Sequence, residues 1–237
     1  MYIISCYNID MESEVNSILV AAHELKAPLA VLRQLALSQS ELTPSDDKLR
    51  SEMISVSERA LKQINDLIKI KRLEDGLFEM EPVSVRVICN EASRELSYLF
   101  NHNRRDLFIK YTNRNKLVTA NHDLLYSIVY NFLLNAMQYS GEQTRAELIV
   151  REVKDNIKII VRDYGPSLPI DVWREIKRGW LKKPTSIAMR PGSSGLGLYI
   201  ASMFSKYMHA EMGAIRHQDG TSFYVSLPIS KQASLFV

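Results

Sequence analysis

The chain has 237 residues, of which 46% are hydrophobic and 24% charged; this allows one large domain or two modest ones and excludes disorder. The net charge of +3 lacks the concentrated basic face of a dedicated nucleic-acid binder, so no nucleic-acid partner is expected. Cys6 and Cys89 give neither a disulfide framework nor metal-ligand spacing, no apolar run approaches the ~18 residues of a membrane span, and the opening MYIISCYNID is unlike a signal peptide. These features predict a soluble chain in a reducing compartment, hence a cytoplasmic location.

After a linker over residues 1–10, apolar side chains recur at Val15, Ile18, Ala22, Leu25, Leu29, Leu32 and Ala36 in alternating steps of three and four. That is a helical seam that needs a helical partner. Leu42-Thr43-Pro44-Ser45-Asp46 interrupts it, with Thr43 as helix cap and Pro44 at the first helical position. The seam resumes at Leu49, Met53, Val56, Ala60, Leu67 and Ile70. Residues 11–76 are therefore expected to form a helical hairpin. Its core is small, so pairing with a second copy into a dimeric four-helix bundle is expected.

At Glu74-Asp75-Gly76 the texture changes. A linker over 77–86 is expected to lead into a second domain over 87–232, with a tail at 233–237. Helical patterns fit residues 84–100, 121–139 and 195–208, and strand patterns fit 107–111, 146–150, 157–161 and 222–227. Strands interleaved with helices predict an α+β sandwich, a mixed sheet with helices on one face. Five of the nine glycines fall within residues 165–197, marking a loop-rich site.

Four groups carry possible chemistry. His23, followed by Glu24, sits beside the first seam, and Pro28 should bend the helix just beyond. A neutral imidazole with a neighbouring carboxylate is a competent nucleophile, although a surface histidine beside a helical Glu has the same appearance. Asn131 and Asn135 share one helical face, and their amide oxygens suit Mg²⁺; the plain alternative is a solvated face. Asp163-Tyr164-Gly165-Pro166-Ser167 follows an apolar strand and would either accept a hydrogen bond from an exocyclic amine or form a turn. Gly192-Ser193-Ser194-Gly195-Leu196-Gly197-Leu198 precedes a helix and could bring backbone N–H groups to a phosphate. Before it, Arg174, Lys177, Arg178, Lys182, Lys183 and Arg190 read either as a basic lid or as a solvated face.

The order of these groups resembles the catalytic core of sensor histidine kinases of two-component systems. His23-Glu24-Leu25-Lys26-Ala27-Pro28-Leu29 is similar to their phosphoacceptor box, and Asn131 to Tyr139, preceded by Asp123, to the N box. Asp163-x-Gly165 and Gly195-Leu196-Gly197-Leu198 resemble the two glycine boxes, and Asp219-Gly220-Thr221-Ser222-Phe223 the closing box of a Bergerat-type ATP-binding domain. The resemblance covers residues 12–229. It implies an ATP-dependent histidine autokinase that passes the γ-phosphoryl group to His23, with Glu24 as general base, and then to an aspartate of a response-regulator receiver domain. It implies ATP and Mg²⁺, with Asn135 on the metal and Asn131 supporting the phosphates. Asp163 would read the adenine amine with Gly165 allowing close approach, and Gly195 and Gly197 would present N–H groups. Tyr139, Leu196, Leu198 and Thr221 complete the implied ATP-binding set. The chain is then expected to be a homodimer through residues 11–76.

Some positions depart from the family pattern. Ala27 replaces the Thr or Asn that helps water dephosphorylate the regulator. Gln138 replaces a basic residue, and Ser167, Ser193 and Gln218 replace glycines. These changes keep a second class open, a dimeric kinase-like scaffold that binds nucleotide or a partner without efficient transfer.

Overall fold

The computed structural model describes residues 29, 30, 32–34, 44–112, 116–141, 144–178 and 196–231. Backbone contacts divide the chain into two units, Met1–Leu77 and Phe78–Val237.

In the first unit, helix α1 (Pro44–Glu74) opens on the expected proline. Arg33, in a short helical stretch, donates from Nε to Glu58 Oε1 of α1 at 3.2 Å. The seam residues Leu32, Met53 and Val56 are all exposed on the single chain. The first seam from Val15 to Leu25, His23, Glu24, Ala27, Pro28 and the Thr43 cap lie outside the described residues.

The second unit is a mixed five-stranded sheet with helices against it. In chain order its elements are β1 (Glu81–Val83), α2 (Val85–His102), β2 (Asp106–Tyr111), β3 (Val118–Ala120), α3 (His122–Tyr139), β4 (Arg145–Val153), β5 (Asn156–Asp163), α4 (Ile170–Lys177), α5 (Leu196–Tyr207), β6 (Glu211–His217) and β7 (Gly220–Pro228). The sheet order is β2-β4-β5-β7-β6, and β1 pairs separately with β3. Only β2 and β4 run parallel; the other pairs in the sheet are antiparallel.

Period-two patterning decides which face of the sheet is dry. Leu148, Val161 and Phe223 form one cross-strand row, and Val150, Ile159 and Val225 the next, all essentially fully buried. Helix α3 packs on this face, with Phe132 stacked on Phe223 at a ring separation of 5.7 Å. It lies between α2 and α5 and contacts both. Helix α2 shows one apolar stripe (Val85, Ile88, Cys89, Ala92, Leu96, Phe100) and buries that stripe together with Ser93. Helix α3 is apolar almost all round and is buried almost throughout, as its central position requires.

The sequence pattern had no element over 81–83, 118–120, 170–177 or 211–217. The first two are three-residue strands, too short for a periodic signal. The basic run from Arg174 also begins as structure: Arg174 and Lys177 lie on the exposed face of α4, whose Val172 and Ile176 are buried. Trp173 Nε1 anchors this helix by donating to Ala214 O of β6 at 3.1 Å. Lys182, Lys183, Gly192, Ser193, Gly195 and Arg190 lie outside the described residues.

Ile159 sits at 0% exposure in the middle strand, so Ile159→Ala should destabilise the second unit by about 2–5 kcal/mol. Val153→Ala, at an exposed strand end, should stay within about 0.5 kcal/mol. Urea midpoints of the two variants check this; equal shifts would contradict the assigned core.

Candidate functional site

The site assembles where β5 ends. Asp163 is its last residue and only 1% exposed, so its carboxylate needs bonded oxygens. Oδ1 accepts from Gly165 N at 3.1 Å and from Thr221 N at 3.2 Å. Thr221 pairs with Asp163 across β5 and β7, is fully buried, and accepts from Leu168 N through Oγ1 at 3.1 Å. Asp163 is thus a strand-end carboxylate held by backbone, and its bond from Gly165 N is that of an Asx turn.

Two glycines make this packing possible. A Cβ at Gly165 would lie 1.7 Å from the carbonyl oxygen of Tyr139, and a Cβ at Gly220 would lie 2.0 Å from that of Asp163. Gly220 also holds φ +139, a conformation that side chains avoid. The space beside Gly165 is therefore filled by the end of α3, so packing alone requires glycine there. Tyr139 enters the site through that carbonyl.

Helix α3 is set by its cap, with Asn121 Oδ1 accepting from Leu124 N at 3.2 Å and Asp123 in the first turn. Further along, Asn131 is 4% exposed, so it is no part of a solvated face. Gly197 lies against it: a Cβ on Gly197 would stand 2.9 Å from Asn131 Oδ1. Asn135 follows one turn later and is half-buried. The Nδ2 atoms of Asn131 and Asn135 are shielded from solvent and have no hydrogen-bond partner among the described residues. Leu196 and Leu198 begin α5, Leu198 buried and Leu196 half-buried. The structure thus joins Asn131 to Gly197, Tyr139 to Gly165, and Asp163 to Gly165 and Thr221. His23, Glu24 and Gly195 lie outside the described residues.

The residues 162–164 and 217–222 add a network that the sequence pattern missed. Arg162 Nη2 donates to Asp219 Oδ1 at 2.7 Å, and this bond holds the Asp219 carboxyl below its usual range. The Arg162 and Arg145 guanidinium groups lie 4.4 and 5.1 Å from the centre of the Tyr164 ring. His217 Nε2 lies 2.9 Å from Ser222 Oγ. Burial, assisted by the charge of Arg162, pushes the His217 imidazole below its usual value of 6.5, against the opposing pull of Asp219.

With this geometry in view, residues 120–231 match the family described as "Histidine kinase-, DNA gyrase B-, and HSP90-like ATPase". The chain is 26% identical over 216 residues to sensor histidine kinase MtrB of Mycobacterium leprae, covering 88% of this chain and 38% of that protein. It is 23% identical over 229 residues to hybrid signal transduction histidine kinase K of Dictyostelium discoideum, covering 89% of this chain and 19% of the other. In fold it is similar to full-length ShkA in complex with AMPPNP, with a TM-score of 0.67 at 20% identity over 92% of this chain and 46% of that one. In sequence and fold the chain is similar to sensor histidine kinases. The chain spans less than half the length of each of these relatives, and the second unit has the Bergerat-type ATPase fold.

The residues of this domain fit a nucleotide with a divalent cation. Two unpartnered amide donors on one face of α3 suit anionic oxygens, and the carbonyl end of a carboxamide is a hard ligand suited to Mg²⁺. Asp163 supplies a fixed buried acceptor past the C-terminal end of the same helix, beyond the Tyr139 carbonyl.

Two outcomes test the geometry. Gly220→Ala combines a disfavoured φ with a backbone clash and should cost well over about 1 kcal/mol. Gly76→Ala has φ +66 but open space around it, and should cost only the left-handed strain, about 1–2 kcal/mol; similar melting shifts for the two would contradict the clash. The depressed His217 makes folding sensitive to acid. The unfolded imidazole gains its proton first, so this contribution is complete above about pH 6.5 and is lost as pH falls through the lowered folded value. His217→Gln should therefore show a shallower fall of the urea midpoint between about pH 7.5 and about pH 5 than the parent, and parallel curves would contradict the assignment.

Proposed function

We propose that the chain is an ATP-dependent protein histidine autokinase whose phosphoryl group passes from His23 to an aspartate of a response-regulator receiver domain. The observation that carries this reading is the buried, backbone-held carboxylate of Asp163 at one end of α3 with the unpartnered amides of Asn131 and Asn135 farther along the same helix. These lie in a domain matched to the ATPase family, in a chain that also carries His23-Glu24 beside the expected helical seam.

Bound ATP with Mg²⁺ would supply the transferable group and the charge that neutralises it. Asn131 would direct its amide to phosphate oxygens, and Asn135 would turn its carbonyl oxygen to the metal. Asp163 would accept the hydrogen bond of the adenine amine, its orientation held by Gly165 and Thr221. Gly195, Gly197 and the start of α5 at Leu196 and Leu198 would bring backbone N–H groups to the phosphates. His23 would be the nucleophile, with Glu24 accepting its proton. Phosphoryl transfer depends mainly on positioning and electrostatic stabilisation, and these residues supply both. The exposure of Leu32, Met53 and Val56 on the single chain supports a homodimer through residues 11–76, where a second seam would cover them.

Incubation with γ-labelled ATP and Mg²⁺ should place acid-labile, base-stable label on the parent chain. His23→Gln should abolish the label, and Asn135→Ala should lower it by at least about a hundredfold, the scale of losing a charge-stabilising group. Undiminished labelling of His23→Gln would refute the nucleophile. Binding without any label on the parent would select the scaffold class.

A further inference from the structure

Between Asp163 and α4 the chain runs through Pro166-Ser167-Leu168-Pro169, and this short loop is tied to the β6–β7 hairpin by three bonds. Ser167 Oγ donates to the carbonyl of His217 and lies 3.2 Å from that of Gln218. Leu168 N donates to Thr221 Oγ1 at 3.1 Å, and Leu168 O accepts from Arg216 Nε at 2.7 Å. The two Leu168 bonds join the loop to the arms of the hairpin. Of the loop's groups, the Ser167 hydroxyl reaches farthest along the hairpin, to the last residue of β6 and to Gln218 in the turn.

That turn controls the Asp163 carboxylate. Gly220 follows it directly and passes so close to Asp163 O that a Cβ would stand 2.0 Å away. The next residue, Thr221, supplies one of the two N–H groups on Asp163 Oδ1, and Gly165 of the loop supplies the other. A shift of the turn relative to the loop would pull these two donors apart. Arg162 grips the same turn through Asp219, but Asp219 is largely exposed, and exposed ion pairs hold weakly. A hydroxyl on residue 167 is therefore the short link between loop and turn. The glycine expected at this position from the family resemblance has no side chain to make it.

We infer that Ser167 is a positioning residue for the base-reading end of the site: its hydroxyl pins the β6–β7 turn to the Asp163 loop and so keeps both amide donors on the carboxylate. The inference deepens the nucleotide-binding reading above and rests on it. Ser167 is then a tether that takes the place of glycine, and the departure from the family pattern preserves adenine recognition.

The test is calorimetric binding of Mg·ADP and Mg·GDP to the full chain and its variants. One net hydrogen bond corresponds to roughly a fivefold change. Ser167→Ala and Ser167→Gly should each weaken Mg·ADP binding about fivefold and narrow the preference for Mg·ADP over Mg·GDP. Ser167→Thr, which keeps a hydroxyl, should restore both. A purely structural serine would lower the melting temperature and leave the base preference unchanged. Hydrogen exchange at the Thr221 amide of the ligand-free chain should quicken in Ser167→Ala. If the alanine variant does not fold, the isosteric pair Ser167→Thr and Ser167→Val decides, and equal affinity and preference in that pair would overturn the inference. A parent chain that binds neither nucleotide would overturn the reading of the site and this inference with it. A parent that binds Mg·ADP, beside a folded Ser167→Ala with the same affinity and preference, would overturn the inference alone.

Discussion

A carboxylate has been buried at the end of a central strand, and the local architecture follows from keeping it bonded. Asp163 is 1% exposed, and a carboxylate so placed is tolerated only with its hydrogen bonds made. One donor is Gly165 N, so the chain must fold back within two residues of the strand. The other is Thr221 N, so β7 must begin opposite Asp163 in fixed register. Both demands bring backbone into closer approach than a Cβ allows, which is why residues 165 and 220 are glycine. The Arg162–Asp219 ion pair and the Ser167 hydroxyl fasten the same turn from β5 and from the loop.

Helix α3 carries this constraint through the second unit. Its surface is apolar nearly all round because it is enclosed by α2, α5 and the sheet. Asparagine is a poor choice for such a helix by propensity, and Asn131 adds a buried amide. Its position against Gly197 explains the glycine between Leu196 and Leu198 at the start of α5: a methyl at residue 197 would crowd Asn131 Oδ1 at 2.9 Å. The C-terminal carbonyl of the same helix, at Tyr139, then meets Gly165. One helix thus links both glycine boxes through direct contact.

Much of this was legible in the sequence because it is local. The helices at 85–102, 122–139 and 196–207 and strands β2, β4, β5 and β7 follow from periodicity, and Asn131, Asp163, Gly197 and Thr221 from motif order. Strand β6 was hidden because Glu211-Met212-Gly213-Ala214 has no alternation. Gly213 weakens the strand signal, yet a Cβ there would stand 2.5 Å from Tyr224 Oη, so cross-strand packing selects it. Helix α4 has Val172 and Ile176 at helical spacing after Pro169, but eight residues within a charge run carry too weak a period. The tethering by Ser167 and the clash at Gly220 depend on contacts roughly fifty residues apart in sequence. No local pattern encodes such contacts. The role of Gly165 was read toward a ligand, whereas the nearest obstacle is the protein's own backbone.

The unmet amides of Asn131 and Asn135 connect stability with function. Leaving a buried donor unbonded costs about 1–3 kcal/mol, against a total stability of about 5–15 kcal/mol for a domain. An apolar side chain of similar shape would remove that penalty and fit the surroundings of α3 better. Among the described residues nothing bonds these two amides, which leaves unsatisfied polarity along one helix face. Oxygen atoms of a bound ligand would satisfy both donors, and the recovered energy would appear as affinity and as added stability of the bound form. Because the helix is fixed by packing on several sides, little further ordering opposes that gain. The apolar enclosure that makes these amides unfavourable in isolation is therefore also what prepares them for binding.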